Sequence, residues 1–169
     1  MKGKRMKIGY SVVKSSLGRL LVAATPRGIC SVMLGDSESD LTRELRQDFP
    51  GAWLEKEDER LSVQARALLA CLEGEPLHPN LALDARGTAF QMCVWEELRR
   101  IPRGQRISYG ELARRIGRPK AARAVARACA TNPLAILIPC HRVVRENGDL
   151  AGYRWGIERK RRLLEQEQD

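Results

Sequence analysis

This 169-residue chain is poor in histidine, in aromatic side chains and in paired cysteines, and each shortage closes off a class of protein. Aromatic residues make up 5% of it, and its two histidines are His78 and His141. Five cysteines (Cys30, Cys71, Cys93, Cys129 and Cys140) stand far apart with no C-x-x-C pair. An odd, scattered set with two histidines argues against a zinc finger and a disulfide framework, so no metal is expected and the thiols are read as reduced. No apolar run approaches the roughly 18 residues that a membrane helix needs. The N-terminus, Met1-Lys2-Gly3-Lys4-Arg5-Met6-Lys7, is basic, but an alternating stretch broken by Ser and Lys follows it, not the apolar centre of a signal peptide. Internal repeats and low-complexity tracts are lacking as well. These absences lead to the expectation of a soluble cytoplasmic protein with no membrane partner.

What is present is a core and a lopsided charge. A hydrophobic fraction of 43% supports one ordinary domain or two small ones. The net charge of +9 is confined to the second half. Residues 1–84 hold 12 basic and 12 acidic side chains, whereas 85–169 hold 18 basic and 9 acidic. Sixteen of those 18 are Arg, whose planar fork suits phosphate oxygens. A neutral half joined to a cationic one suggests a polyanionic partner, with DNA, RNA and an acidic protein all compatible.

Residues 6–34 read as a hairpin or three-stranded meander, because short aliphatic runs alternate with Ser15-Ser16-Leu17-Gly18 and Thr25-Pro26-Arg27-Gly28. Two helices follow. Leu41, Leu45 and Phe49 mark the first, stopped by Pro50-Gly51; Leu61, Ala65, Leu68, Leu69 and Leu72 mark the second, ended by Gly74 and Pro76. Glu73 to Gly87 has no helical period and is read as a linker. Beyond it the pattern is entirely helical. Thr88-Ala89-Phe90-Gln91 is a capping box opening a helix that buries Phe90, Val94, Trp95 and Leu98. Ser108-Tyr109-Gly110-Glu111 is a second box, opening a short helix that Gly117 ends, and a third starts at about Lys120 and ends near Asn132-Pro133.

The corner at Gly117-Arg118-Pro119 has the length of a helix-turn-helix. Arg114, Arg115, Arg118, Lys120, Arg123 and Arg127 cluster around it, where phosphates would lie. Its second helix is dominated by alanines, including Ala121, Ala122 and Ala124, so it can approach DNA closely but read little sequence. A smooth helix with one or two arginines suits a minor groove and the interruption of base stacking, with Arg123 as the inserted side chain. The competing reading is an Ala-rich core helix whose arginines reach into solvent.

Leu134-Ala135-Ile136-Leu137-Ile138 is an apolar run between Pro133 and Pro139, followed by Cys140-His141-Arg142-Val143. A cysteine beside apolar residues is by default buried and inert. Against that default, His141 supplies a base and nearby arginines would favour a thiolate. The motif Pro139-Cys140-His141-Arg142-Val143 resembles the active-site motif of the O6-alkylguanine-DNA alkyltransferases, the methylated-DNA–protein-cysteine methyltransferases. The resemblance runs through Gly87-Thr88-Ala89-Phe90-Gln91, Val94-Trp95, Ile101-Pro102, Ser108-Tyr109-Gly110, Arg123-Ala124-Val125, Asn132-Pro133 and Leu163-Leu164. The first half, with Gly28-Ile29-Cys30 and Leu34-Gly35-Asp36, looks most like the C-terminal half of bacterial Ada proteins.

The resemblance implies an α+β architecture: a small N-terminal α/β (ribonuclease H-like) supporting domain with antiparallel strands, residues 1–84, and a mostly helical, winged-helix-like C-terminal domain, residues 85–169. It implies transfer of an alkyl group from O6 of a flipped guanine, and from O4-alkylthymine, to Cys140, once and irreversibly, without a cofactor. His141 would act as base through a water, oriented by Glu167, with Glu165 as a substitute. Tyr109 would donate to the departing base and Asn132 would hold the active-site turn. The substrate-binding set is Val143 and Cys140 through their carbonyls, Arg154 through its amide, and Tyr153, Trp155 and Ala135. The DNA-binding set is Arg123, Ala121, Ala122, Ala124, Arg118, Lys120, Arg127 and Arg115, on double-stranded DNA through the minor groove, without sequence preference, by a monomer that associates with the nucleoid.

Some relatives carry Gly-Gly after the Gly-Tyr-x turn, whereas the run here is Gly152-Tyr153-Arg154-Trp155-Gly156. Arg154 and Trp155 are therefore expected to narrow the pocket and slow reaction with O6-benzylguanine, the alternative being that Trp155 packs in the core. Some relatives also hold a structural zinc in the N-terminal half, for which this chain has no convincing Cys/His set. Full-length Ada carries a preceding four-cysteine zinc module that is missing here, so methylphosphotriester repair and methylation-triggered transcription are not expected. Met1 favours a complete gene product, with part of an Ada-type regulator as the alternative. Two other classes stay open: a non-catalytic binder of alkylated DNA, and a cysteine hydrolase.

Overall fold

The structure is a computed structural model, and it describes residues 3–77 and 80–168. Positions 78 and 79 of the expected linker, with His78, lie outside the described residues. The chain divides into two units, Met1–Ala85 and Arg86–Asp169.

In the first unit, β1 (Lys7–Ser15), β2 (Gly18–Thr25) and β3 (Gly28–Gly35) form the expected antiparallel meander. The sheet has a fourth strand that the sequence reading missed: β4 (Trp53–Lys56) pairs parallel to β1, giving the order β3-β2-β1-β4. β2 and β3 are buried as continuous runs, Leu20 to Ala23 and Ile29 to Leu34; β2 lies between β1 and β3, whereas β3 stands at the sheet edge with α1 packed on it and Leu83 bridged to Ile29. Helix α1 (Glu38–Asp48) packs Leu41 and Leu45 against this sheet and is capped by Ser37, whose hydroxyl accepts from the Asp40 amide at 3.2 Å. Helix α2 (Ser62–Leu72) buries Ala65, Leu68 and Leu72.

The linker expectation needs correction at its C-terminal end. The Ile29 amide donates to the Ala82 carbonyl at 2.9 Å, and the Asp84 amide to the Ile29 carbonyl at 2.8 Å, so this stretch is bound alongside the start of β3. Thr25 Oγ1 reaches Asp84 Oδ2 at 2.6 Å. The close approach requires Gly28, which has φ +149° and would place a Cβ 2.5 Å from the Ala82 carbonyl oxygen. Gly28→Ala is expected to lower stability by about 1–3 kcal/mol, read as a fall in the urea midpoint. An unchanged midpoint would show that the 82–84 segment is not held in this way.

In the second unit, α3 (Ala89–Leu98) opens on the expected capping box. Thr88 Oγ1 accepts from the Gln91 amide at 3.1 Å and Gln91 Oε1 from the Thr88 amide at 2.8 Å. Val94, Trp95 and Leu98 are buried, and the Trp95 indole donates to the Ala128 carbonyl at 2.8 Å. Phe90, expected inside, is half-buried under the Arg118 guanidinium, 5.9 Å from the ring centre.

Ser108 caps α4 (Tyr109–Arg115), but the second box is one-sided, because the Glu111 carboxylate turns to Arg114 and Arg115 at 3.0 and 3.3 Å. Gly117, at φ +74°, ends α4. Its amide donates to the Arg114 carbonyl at 3.0 Å and the Arg118 amide to the Ala113 carbonyl at 2.9 Å, the Schellman pattern. A turn from Arg118 to Ala121 delays α5 (Ala122–Ala130) to two residues beyond the expected start. Nor is this half entirely helical, since β5 (Ile107–Ser108) and β6 (Val143–Val144) pair in parallel. Helix α6 (Ile157–Gln166) completes the unit.

Candidate active site

The apolar run Leu134–Ile138 is neither strand nor helix but a buried set of turns held by Asn132. Asn132 Oδ1 accepts from the Leu134 amide at 2.9 Å, and its Nδ2 donates to the Ile138 carbonyl at 2.8 Å and to Cys140 Sγ at 3.1 Å. Within the turns Ile136 has φ +73°, a left-handed conformation that costs a β-branched residue about 1–3 kcal/mol. The fixed end of this path is Cys140, which begins a 3-10 turn, Cys140–Arg142.

Cys140 sits in a cavity of about 450 Å³ with Tyr109, Ala126, Cys129, Ala130, Arg145, Ala151, Gly152, Tyr153 and Arg154. Burial pushes its thiol up to about 11, against the opposing pull of the Asn132 hydrogen bond and of Lys160. The expected arginine-stabilised thiolate is therefore corrected. At neutral pH the resting group is a thiol, because desolvation outweighs the cations and Arg142 faces elsewhere. Burial, then the two thiols Cys129 and Cys140, push Tyr109 up to about 12, so its hydroxyl keeps its proton and can donate.

The next two residues of the turn meet one carboxylate. His141 Nε2 lies 2.7 Å from Glu167 Oε1, and Arg142 places Nη2 2.7 Å from the same oxygen. Burial pushes Glu167 up, yet the hydrogen bonds from His141 and Arg142 outweigh it and bring the carboxyl down to about 2. An ionised carboxylate only accepts, so His141 carries its proton on Nε2 and leaves the Nδ1 lone pair free. His141 Nδ1 is buried and has no hydrogen-bond partner among the described residues. Burial also pulls His141 below its ordinary value, against the pull of Glu167, which keeps the ring neutral.

The structure thus holds Cys140 to Asn132 and His141 to Glu167, two hydrogen-bonded pairs joined through the Cys140-His141 peptide, and sets Tyr109, Tyr153 and Arg154 with Cys140 around the cavity. Glu165, the substitute for Glu167, lines a different, open groove with Arg106 and Arg161. Trp155 and Ala135 do not line the cavity. Trp155 is buried, with the Tyr153 ring edge-on at 5.2 Å and the Arg154 guanidinium 5.4 Å from its own ring, so it backs the wall instead of narrowing the space. The Val143 side chain is buried and its carbonyl accepts from Lys160 Nζ at 2.7 Å. Arg154 also donates to the Asn132 carbonyl at 3.1 Å.

Of the helix-turn-helix residues, Arg115, Arg118, Lys120, Arg123 and Arg127 are exposed, and Ala121, Ala122 and Ala124 are half-buried. Arg115 is paired with Glu111, whereas Arg123 has no hydrogen-bond or ion-pair partner among the described residues. Arg123 stands three and seven residues before the cavity-lining Ala126 and Ala130, hence on their face of α5.

Sequence reasoning missed four residues here. Cys129 and Arg145 line the cavity, and Arg142 grips Glu167. Lys160 is fully buried, with Nζ 5.9 Å from the Tyr109 ring centre. Its signal was spacing: 160, 163, 164 and 167 form one helical stripe with two leucines and Glu167.

Comparison with known proteins bears on this cluster. Two family descriptions cover nearly the whole chain: the 6-O-methylguanine DNA methyltransferase ribonuclease-like domain matches residues 8–85 and its DNA binding domain residues 89–169. A methylated-DNA–protein-cysteine methyltransferase of Methanosarcina acetivorans is 38% identical over 94% of this chain and 97% of its own length. The chain belongs to this methyltransferase family. The bifunctional transcriptional activator/DNA repair enzyme Ada of Escherichia coli is 50% identical over 98% of this chain, which spans 47% of the Ada length. Among solved structures, Mycobacterium tuberculosis OGT in complex with DNA is 37% identical, with a TM-score of 0.77, covering 94% of this chain and 92% of that one. The α+β fold of these methyltransferases is the one described above.

Proposed function

We propose that this chain repairs DNA by accepting the alkyl group of O6-alkylguanine, and of O4-alkylthymine, onto Cys140, one transfer per molecule. The observation that carries the reading is the buried thiol held by Asn132 at the cavity, next in sequence to a histidine already oriented by a carboxylate. His141 Nδ1 takes the thiol proton through a bridging water, and Glu167 stabilises the imidazolium that forms. Sγ attacks the alkyl carbon. The C–O bond breaks, its electron pair passes to the purine, and Tyr109 donates a hydrogen bond to the charge that develops there. The thioether has no good leaving group, so the protein is consumed.

Lesion access is proposed to run through α5. Its half-buried alanines let the helix enter a minor groove closely, and the unpaired Arg123 fills the stack from which the nucleotide is turned. The arginines around it meet phosphates and not base edges, which favours sequence-independent attachment, by a monomer, to the DNA of the cytoplasmic nucleoid. Reading the Ada likeness the same way, the chain carries the repair activity of such a regulator.

Intact-mass measurement after incubation with an O6-methylguanine duplex tests the reaction. The expected result is one added methyl group mapping to Cys140. Turnover at unchanged mass would make the protein a hydrolase, and no reaction would leave a lesion binder. Extrusion of a base costs a few kcal/mol, so Arg123→Ala is expected to slow transfer from duplex about tenfold while changing transfer from single-stranded substrate by about twofold or less. Equal losses on the two substrates would remove Arg123 from the extrusion step.

A further inference from the structure

Arg142 lies outside the chemistry just described, yet its guanidinium spends every one of its nitrogens on that site's support. Nε lies 3.1 Å from both Oε1 and Oε2 of Glu167, and Nη2 lies 2.7 Å from Oε1. Nη1 donates to the Ile101 carbonyl at 2.6 Å, just beyond the end of α3. His141 meets the same Oε1 from the other side at 2.7 Å. Two consecutive residues of one 3-10 turn therefore grip one carboxylate, and the second of them ties it to the rest of the unit.

The geometry has an electrostatic consequence. A buried carboxylate facing a histidine draws a proton onto the ring, and an imidazolium cannot act as base. With the guanidinium forked onto that carboxylate, the pair is already compensated and its direction is fixed. The charged and titratable groups that bear on His141 are Glu167 at the C-cap of α6, Lys160 within α6 and Arg142 from its own turn. The Tyr153 hydroxyl from the preceding loop is buried near Glu167, and Glu97 of α3 is engaged by Arg100.

Resting on the reading of His141 as base, we infer that Arg142 is a positioning residue for alkyl transfer: it clamps and neutralises Glu167, so that His141 waits as a neutral base with Nδ1 available. Arg142 touches neither the reacting atoms nor the cavity. Lysine at this position would keep a charge but lose the fork, and methionine would lose both.

The test is the single-turnover rate of methyl transfer against pH for the full chain and for Arg142→Lys and Arg142→Met, with binding to undamaged duplex and unfolding midpoints as controls. Supporting results are a loss of about tenfold or more at neutral pH for Arg142→Met, with the acid limb of the profile displaced upward by about one pH unit and the rate largely recovered above it. Arg142→Lys, the variant with the smaller change in fold stability, is expected to show a smaller displacement in the same direction. An acid limb that stays in place in Arg142→Lys, and in Arg142→Met where it folds, overturns the proposal, whatever the loss of rate. His141→Gln separates the two readings. If it transfers at the full rate, the base reading fails and takes this proposal with it; if it is impaired and the Arg142 limbs are unmoved, the Arg142 proposal alone fails.

Discussion

Cys140→Ser will bind DNA as the unchanged protein does and will accept no methyl group. The substitution keeps a hydroxyl near Asn132 Nδ2, so the turn that ends at residue 140 retains its polar contact. What it removes is the soft nucleophile. A serine hydroxyl is less acidic than a thiol even in this buried position, and His141 cannot prepare it at neutral pH. The expected measurement is a null intact-mass shift with an O6-methylguanine duplex and an unchanged binding curve on the same duplex. Retention of methyl on the variant would move the acceptor to another residue, with Cys129 of the same cavity as the first to map.

The second large effect falls on Glu167→Gln, which strikes stability and rate together. The carboxylate accepts from His141 and from three guanidinium contacts, and its side chain is nearly enclosed. Neutralising it leaves the Arg142 charge without its partner, a change worth about 3 kcal/mol for a pair of this kind. Loss of the oriented base should slow transfer by about 10²-fold or more. The pH dependence has a definite sign. Glu167 titrates at about 2 in the folded chain against an ordinary 4.5, so its contribution is complete above the ordinary value and is lost as pH falls toward 2. The unchanged protein therefore has an acid-side slope in its unfolding midpoint that Glu167→Gln flattens. Parallel slopes for the two proteins would contradict the ion-pair account.

Local signals were legible in the sequence, and long-range ones were not. The Thr88-Gln91 box and the Gly117 stop are written in residues three or four positions apart, and both form as read on those grounds. Strand β4 left no comparable trace. Its four residues, Trp-Leu-Glu-Lys, sit on a sheet edge and are too few to show an alternation, and their charges are paired, Glu55 with Lys7 and Lys56 with Glu38. The one-sided cap at Ser108 has the same origin, since Glu111 had nearer cations than the sequence rule allows for.

The site divides along similar lines. Cys140 and His141 announce themselves by adjacency, but Glu167 is 26 residues from its histidine and was reached through family resemblance alone. Lys160 was passed over because a lysine in a charged helix reads as solvent-facing; its burial follows from its place on the Leu163-Leu164 stripe. Trp155 misled in the opposite sense. A large side chain next to a substrate-binding turn looks like a steric gate, whereas the ring turns inward behind Tyr153.

The enclosure of Cys140, with 5% of its surface exposed, also bears on how long such a molecule lasts before use. Under the proposed single transfer, the protein has a finite shelf life, set by every electrophile and oxidant it meets while idle. Such reagents attack thiolates that they can reach. Burial withholds both conditions, because it keeps the sulfur protonated and behind the cavity walls; in the proposed reaction that protection ends when a base enters carrying its alkyl group. The same desolvation that makes the resting thiol a poor nucleophile preserves it for the one reaction that counts.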